Sequence, residues 1–262
     1  MTVKEIVQKK SGYTFDDLVC IMRILRGEGG CPWDREQTHE SIRKNLIEET
    51  YEVVEAIDKA DPTLMCEELG DLMLQVVFHA GISEEEGSFN IDDVCNGICE
   101  KLIVRHPHIF ADTVADTSAE VLKNWDAIKQ QTKNQKTESE KLNSIPPSLP
   151  ALMRAAKASH KAAKAGLEHG TEAETVQTIM KQTERASLAD AEGSFDVIGD
   201  LLFSVVELAR KRGIDPEEAL YKSTDRFVDR FTDTENTVLS QGKDMKDMSP
   251  DELAAIWDKI AR

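Results

Sequence analysis

A group of acidic residues between positions 48 and 71 is the part of the sequence best suited to chemistry. Glu48, Glu49 and Glu52 lie in one short segment, and fifteen residues separate Glu52 from Glu68, which Asp71 follows three positions later. Carboxylate oxygens are the ligands that Mg²⁺ and Mn²⁺ prefer, and acids three apart share one face of a helix. The spacing therefore suits a divalent-cation site on two neighbouring helices.

The first of these helices places an acid where an apolar side chain is expected. At about 100° per residue, Ile42, Leu46, Val53 and Ile57 define an apolar face, and Glu49 falls inside it. A carboxylate in an apolar stripe is costly unless something compensates its charge. This position is therefore a poor fit to an ordinary solvated helix face.

The second helix shows the same conflict. It is apolar almost all round, and a narrow polar seam of Glu68, Asp71, Gln75 and His79 runs between its apolar walls. A solvated face would be broader, so this seam is expected to face something polar inside the assembly.

The turn between the two helices sets their register. It is expected near residues 60–62, with Glu52 and Glu68 about eight residues away and Glu49 and Asp71 about eleven, or roughly 12 and 16 Å along the axes. In an antiparallel hairpin the four carboxylates then converge inside a mostly apolar sleeve, and no Lys or Arg occupies a facing position. We interpret this as a Mg²⁺ site presented to a phosphorylated ligand, and the pattern names no reaction.

The periodicity that positions these acids is helical nearly everywhere, and strand-like alternation is absent. The predicted fold class is all-α. Helices are predicted over 13–27, 39–60, 63–82, 91–105, 118–131, 150–165, 172–190, 194–212, 215–241 and 250–261.

Two halves of the chain resemble each other. Segment 70–77 (GDLMLQVV) matches 199–206 (GDLLFSVV), and the Ile-Asp at 91–92 and the Trp-Asp at 125–126 recur in the same order further on. Three matches in order indicate a duplicated helical unit. We predict an amino-terminal domain over 1–131, a polar and proline-rich linker over 132–149, and a carboxyl-terminal domain over 150–262.

Composition narrows the function classes. The chain has 49 acidic against 32 basic residues and a formal net charge of -17, which argues against a nucleic-acid groove. No secretory signal or membrane span is expected, because no long apolar run occurs. Five cysteines without a CxxC pair fit a reducing cytoplasm better than a disulfide framework.

The acidic spacing resembles the signature of the MazG family of all-α nucleoside triphosphate pyrophosphohydrolases. The flanking sequence also resembles that of the family, with GCPWD at 30–34, QTH at 37–39 and RHPHIF at 105–110. The resemblance covers essentially the whole chain, including the tandem arrangement of two MazG-like helical bundles. It implies hydrolysis of NTPs and dNTPs to the monophosphate and pyrophosphate with Mg²⁺, for which Mn²⁺ can substitute, usually by homodimers.

By matching position, the resemblance implies Glu49, Glu52, Glu68 and Asp71 as metal ligands, with metal-assisted attack of water on the α-phosphorus. Glu48 is a candidate general base, although its helical angle points it away from the seam. Further candidates contact substrate: Lys101 and Arg105 for the triphosphate, Trp125 for the base, and Lys44 and Asn45 for phosphate or sugar. Against these stand plainer interpretations: a solvated basic pair, and a tryptophan that anchors packing.

The second copy departs from the pattern. Val197 stands where an acid is expected three residues before Asp200, and upstream only Glu184 matches the first cluster. We therefore predict that catalysis belongs to the amino-terminal copy. Two alternatives stay open: a nucleotide-sensing protein with little turnover, and a narrow phosphohydrolase for dUTP or a phosphoribosyl-ATP intermediate.

Overall fold

The computed structural model describes residues 2–111, 137–168 and 170–260, with eleven isolated positions between: 113, 115, 117, 118, 120, 121, 124, 125, 127, 128 and 135. Every regular element among them is helical, which confirms the predicted all-α class. Within this part of the chain, no helix combines the length and apolar character needed to cross a bilayer. The helix predicted over 118–131 lies partly outside the described residues, and those described between 118 and 128 are mostly helical.

The chain divides into two compact units, residues 1–132 and 133–262. The helices described in the first unit are α1 (Val3–Lys9), α2 (Phe15–Arg26), α3 (Pro32–Glu36), α4 (Arg43–Asp58), α5 (Pro62–Glu85), α6 (Ile91–Arg105) and α7 (Pro107–Phe110). Helices α4 and α5 form an antiparallel hairpin, and α2 and α6 both pack against α5. The long helix α5 is therefore the centre of this unit.

Local sequence explains where these helices begin. Asp61 caps α5, with its carboxylate accepting hydrogen bonds from the backbone of the first turn, and Pro62 occupies the first helical position. Asn90 and Asp93 form a reciprocal capping box at the start of α6. The hydrophobic core beneath them consists of Met22, Ile42, Val77, Phe78, Ala80, Ile82 and Ile91.

The second unit contains α8 (Glu138–Asn143), α9 (Ala151–Lys164), α10 (Glu172–Leu188), α11 (Ala191–Lys211), α12 (Pro216–Ser240), a 3₁₀ turn (Met245–Asp247) and α13 (Pro250–Lys259). Helices α10 and α11 form a hairpin, α9 packs on α11, and α13 packs on α12. This hairpin repeats the α4–α5 arrangement of the first unit.

Part of the segment predicted as a linker is helical and packed. Helix α8 lies against α9, where Lys161 donates hydrogen bonds to the backbone oxygen of Lys141 and to Ser144, and Ile145 is buried. The polar residues of 137–143 favour a helix because Thr137 and Glu140 form a capping box. Residues 132–134 and 136 of the predicted linker lie outside the described residues.

The two hairpins share a register. Asp61 caps α5, and Asp190 caps α11. Asp71 lies ten residues after Asp61, and Asp200 lies ten residues after Asp190. Helix geometry then gives Asp71 and Asp200 the same height above their turns.

Candidate metal centre

The α4–α5 hairpin brings acids from both helices to one place. One carboxylate oxygen from each of Glu49, Glu68 and Asp71 lies within 4.8 Å of the others. Glu52 lies one turn after Glu49 on α4, and its charge acts on the Glu49 carboxyl group. Three of the four residues that the resemblance implies as metal ligands therefore meet at one place, with Glu52 one helical turn from Glu49.

The crowding of carboxylates makes ionisation of the cluster unfavourable. Partial burial, followed by the neighbouring Glu52 carboxyl group and the charges of Asp71 and Glu68, raises the pKa of Glu49 above its usual range. Burial and the charges of Glu52, Glu67 and Asp71 raise the pKa of Glu68 in the same way. The carboxylates of the cluster therefore repel one another.

The donor set fits a hard divalent cation. All the available ligand atoms are carboxylate oxygens on two rigid helices, which suits Mg²⁺ or Mn²⁺ and not the sulfur and imidazole ligands of structural zinc sites. A doubly charged cation at this position would remove the repulsion that raises the two pKa values. Glu49, Glu52, Glu68 and Asp71 are the residues that would hold it.

The cluster is more open than the sequence predicts. Glu49 and Glu68 are half-buried, whereas Glu52 and Asp71 are exposed. The predicted apolar sleeve is wrong for the isolated chain, because large apolar side chains beside the acids also face outward. These are Ile47, Tyr51, Val54, Ile57, Leu69, Met73 and Val76. Helical periodicity identifies an apolar face but does not say whether another element covers it.

Below the acids, the polar seam of α5 continues into the protein. Gln75 is buried and its Oε1 atom has no hydrogen-bond partner. One turn further, the Nδ1 atom of His79 lies 2.7 Å from the Nδ1 atom of His39. The sequence placed His79 in the seam, but not its pairing with a residue forty positions away. Both residues are polar, but the sequence alone does not show that they meet. The docking of the segment before α4 onto α5 brings them together.

Two predicted substrate-binding residues, Lys44 and Asn45, lie in the first turn of α4. Lys44 is exposed and Asn45 is half-buried. Glu48, the candidate general base, is exposed and stays outside the group of three acids. Its outward position agrees with its helical angle.

The predicted substrate-binding residues on α6 lie at its carboxyl-terminal end. Lys101 is exposed, and the Arg105 guanidinium carbon lies 5.0 Å from the centre of the Trp125 ring. This is a cation–π contact, so Arg105 and Trp125 form one surface feature. The Nε atom of Arg105 is buried without a hydrogen-bond partner.

The second unit lacks the acidic cluster. Among the described residues of that unit, no three His, Cys, Asp or Glu side chains approach as Glu49, Glu68 and Asp71 do. Val197 is buried at the position that corresponds to Glu68, seven residues after the capping aspartate. Glu184 lies only five residues before the end of the α10 hairpin arm at Ala189, so it stands roughly 7.5 Å along the axis from the height of Asp200.

The second unit instead holds a cavity of about 300 Å³ between α12 and α13. Its lining includes Arg226, Phe227, Arg230 and Trp257. The Arg230 guanidinium carbon lies 4.1 Å from the centre of the Trp257 ring, and its Nη2 atom donates to the Trp257 carbonyl oxygen at 2.6 Å. The second unit thus repeats the arginine–tryptophan contact of the first unit, but its described residues do not repeat the cluster of Glu49, Glu68 and Asp71.

Comparison with known proteins shows which family has a similar sequence. A family model described as the MazG nucleotide pyrophosphohydrolase domain matches residues 37–110, which contain the whole acidic cluster. A nucleoside triphosphate pyrophosphohydrolase of Escherichia coli is 40% identical over 254 residues, covering 94% of this chain and 97% of the relative. The chain belongs to the MazG family.

Other relatives extend the MazG similarity over both units. A nucleoside triphosphate pyrophosphohydrolase/pyrophosphatase MazG of Thermotoga maritima is 41% identical over 254 residues, covering 96% of this chain and 97% of the relative. The Bacillus subtilis protein YabN is 42% identical over 252 residues, covering 94% of this chain and 51% of its own length. The similarity therefore covers both units of this chain.

Proposed function

We propose that this protein is a Mg²⁺-dependent nucleoside triphosphate pyrophosphohydrolase that converts NTPs and dNTPs to the monophosphate and pyrophosphate. The observation that carries the proposal is the approach of Glu49, Glu68 and Asp71 within 4.8 Å. The printed names of the Escherichia coli and Thermotoga maritima relatives support the same activity. Mn²⁺ is expected to substitute, because it takes similar oxygen ligands.

The residues of the cluster supply binding and orientation. Glu49, Glu52, Glu68 and Asp71 would hold the cation on two helices whose packing fixes their spacing. When bound, such a cation supplies positive charge at the triphosphate and lowers the pKa of water. Other side chains of this protein then contact the substrate. Lys101 and Arg105 neutralise phosphate charge, Trp125 packs against the nucleotide base, and Lys44 and Asn45 contact phosphate or sugar.

Glu48 is the proposed general base for the attack of water on the α-phosphorus. It is the carboxylate next in the chain to Glu49 and is exposed to solvent. Because it points away from the group of three, it would accept a proton through an intervening water rather than directly. A Glu48→Gln variant tests this role: it should bind the cation normally and lose turnover.

We propose that the active form is a homodimer. The apolar side chains that flank the acids are exposed in the single chain, and soluble proteins rarely leave such a surface uncovered. A second copy lying over Tyr51, Val54, Leu69 and Met73 would exclude water from the cluster. Sedimentation should give twice the chain mass, and Tyr51→Lys should shift it toward the monomer.

The test of the activity is a substrate panel of NTPs and dNTPs with Mg²⁺, Mn²⁺ or a chelator, with the products separated to show which phosphate bond breaks. Monophosphate and pyrophosphate are expected with either metal, and no turnover with chelator. Release of inorganic phosphate instead would contradict the proposal. A strong preference for dUTP or for a phosphoribosyl-ATP substrate would support the narrow-specificity alternative.

A second candidate, nucleotide sensing, is favoured by the cavity of the second unit. Arg226, Arg230 and Trp257 line it beside Asp229 and Asp233, and the described residues of that unit form no acidic cluster like that of the first unit. Nucleotide binding without pyrophosphate release, by a chain that binds Mg²⁺ normally, would favour sensing over catalysis.

A further inference from the structure

The hairpin that carries the acids is fastened at its open end by two histidines. The Nδ1 atoms of His39 and His79 lie 2.7 Å apart, their ring planes differ by 5°, and the ring centres are 5.0 Å apart. Two parallel rings with nitrogens this close lie edge to edge, because stacked rings keep their atoms at van der Waals distance. The contact is therefore a head-on N–H···N hydrogen bond.

Hydrogen bonds from both ring nitrogens of His39 hold this residue against α5. A neutral imidazole has one donor and one acceptor nitrogen, so one ring donates and the other accepts. The second nitrogen of His39, Nε2, lies 3.2 Å from the Ser83 hydroxyl oxygen. His39 is thus bonded to two residues of α5 that are one turn apart.

The charged groups around the pair allow it to persist in the folded protein. Burial, followed by the proximity of His39, lowers the pKa of His79, which favours the neutral form of that ring. The Glu86 carboxylate lies 4.0 Å from His39 Nε2 and faces any positive charge on His39. A singly protonated pair still has one donor and one acceptor at the Nδ1 contact.

The acidic cluster lies between two features that hold the hairpin together, the α4–α5 turn and the His39–His79 contact. The turn joins α4 and α5 covalently near Ala60, and His39 and His79 stand 21 residues before and 19 residues after that point. Glu49 and Asp71 lie 11 residues on either side of Ala60, midway along the hairpin. Mutual repulsion of the carboxylates pushes the helices apart there, against the packing of α4 on α5 and the covalent turn, and the histidine contact adds a polar tie at the end opposite the turn.

We propose that His39 and His79 are positioning residues for the metal site, closing the open end of the hairpin so that the acids of α4 and α5 stay within reach of one cation. This rests on the proposed function, since it presupposes a cation at the cluster. Without the histidine contact the metal-free hairpin relaxes, and cation binding must first draw the helices together. The loss of affinity is then bounded by the strength of one hydrogen bond.

The test uses the full chain, stripped of metal, and measures Mg²⁺ and Mn²⁺ binding by calorimetry. His39→Leu and His79→Leu should each weaken binding about three- to tenfold, and the double variant no more than either alone, because both remove the same contact. His39→Asn, whose amide occupies the place of Nδ1, should stay within about twofold of the parent. His160→Leu, at an exposed histidine of the second unit, is the matched control. Turnover at saturating Mg²⁺ should change by less than about twofold in all of them.

The outcomes separate this proposal from the proposed function. A parent chain that binds no divalent cation overturns the proposed function and this proposal with it. A parent that binds the cation while both leucine variants bind it equally well overturns this proposal alone, even if their melting temperatures fall. Nuclear magnetic resonance adds a direct check, since a nitrogen–nitrogen coupling across the contact is expected and its absence counts against the proposal. Should His79→Leu not fold, Ser83→Ala removes the second bond to His39 and carries the same comparison.

Discussion

One carboxylate oxygen of Glu49 lies within 4.8 Å of one of Asp71, although the two residues belong to different helices. Each stands at the same distance from the turn that joins α4 to α5, so the antiparallel hairpin brings them level. Helix α5 is anchored in the core through Val77, Phe78 and Ala80. The approach of two like charges is thus imposed by packing, and it has consequences that can be measured.

Neutralising either member of this pair should stop catalysis and stabilise the metal-free protein. We expect Glu49→Gln and Asp71→Asn to reduce pyrophosphate release by about 100-fold or more, because a metal ligand is lost. The melting temperature without metal should rise, because repulsion within the cluster falls. Glu100→Gln removes the same charge from an exposed acid of α6 and is the control. Full activity in either cluster variant would exclude the assigned ligands.

The stability of the metal-free protein should depend on pH through Glu49 and Glu68. Both groups have a pKa raised in the folded state, so between the unfolded and folded values the folded chain holds more protons. The free energy of unfolding contributed by these groups therefore falls as pH rises through that interval. A Glu49→Gln/Glu68→Gln double variant should melt above the parent at about pH 7 and approach it near pH 5.

The sign of that difference is the check, since the groups outside the cluster are the same in both proteins. Saturating Mg²⁺ should remove the difference at neutral pH by stabilising the parent only. A gap that widens on acidification would contradict the electrostatic description of the cluster.

Catalysis should depend on the first unit and not on the second. Glu52→Gln should abolish turnover, because Glu52 completes the cluster, whereas Asp200→Asn should leave it within about twofold, because Val197 already breaks the second set. Steady-state rates with a saturating NTP decide this. Loss of activity in the Asp200 variant alone would reverse the assignment of the active unit.

The arginine–tryptophan contact of the first unit should bind substrate. Arg105→Gln should raise KM for NTPs about tenfold with a smaller change in kcat, since a cation that neutralises phosphate is lost. Arg230→Gln removes the equivalent cation beside Trp257 in the second unit and should leave KM unchanged. Equal effects of the two substitutions would argue against substrate binding at Arg105.

Asp17 should hold the first helix in place. Its buried carboxylate is paired with Lys9 and accepts hydrogen bonds from Thr14, and these lower its pKa to about 2. Because this pKa is depressed, the stabilisation is present above the unfolded value and is lost as pH falls toward 2. Asp17→Asn should therefore expose residues 2–13 to proteolysis at neutral pH, while Asp16→Asn, at the exposed neighbouring acid, should not.

The sequence by itself determined the two helices of the hairpin, most of the other long helices and the identity of the acids. Ser, Thr, Asn and Asp caps and a 3.6-residue period are local signals, so α5 from Pro62 and α6 from Ile91 could be predicted to within a few residues of where they begin. The same period, counted from the turn, predicts that Glu49, Glu52, Glu68 and Asp71 face one another. Their convergence needed only two helices and one turn.

Only the tertiary structure decided what surrounds the cluster. Whether Tyr51 or Met73 is covered depends on elements distant in the chain, and within the single chain both stay exposed. The pairing of His39 with His79 depends on how the segment before α4 docks on α5, and Arg105 meets Trp125 across a connection between helices. Such contacts depend on the packing of elements that are far apart in sequence, which no local pattern of residues specifies.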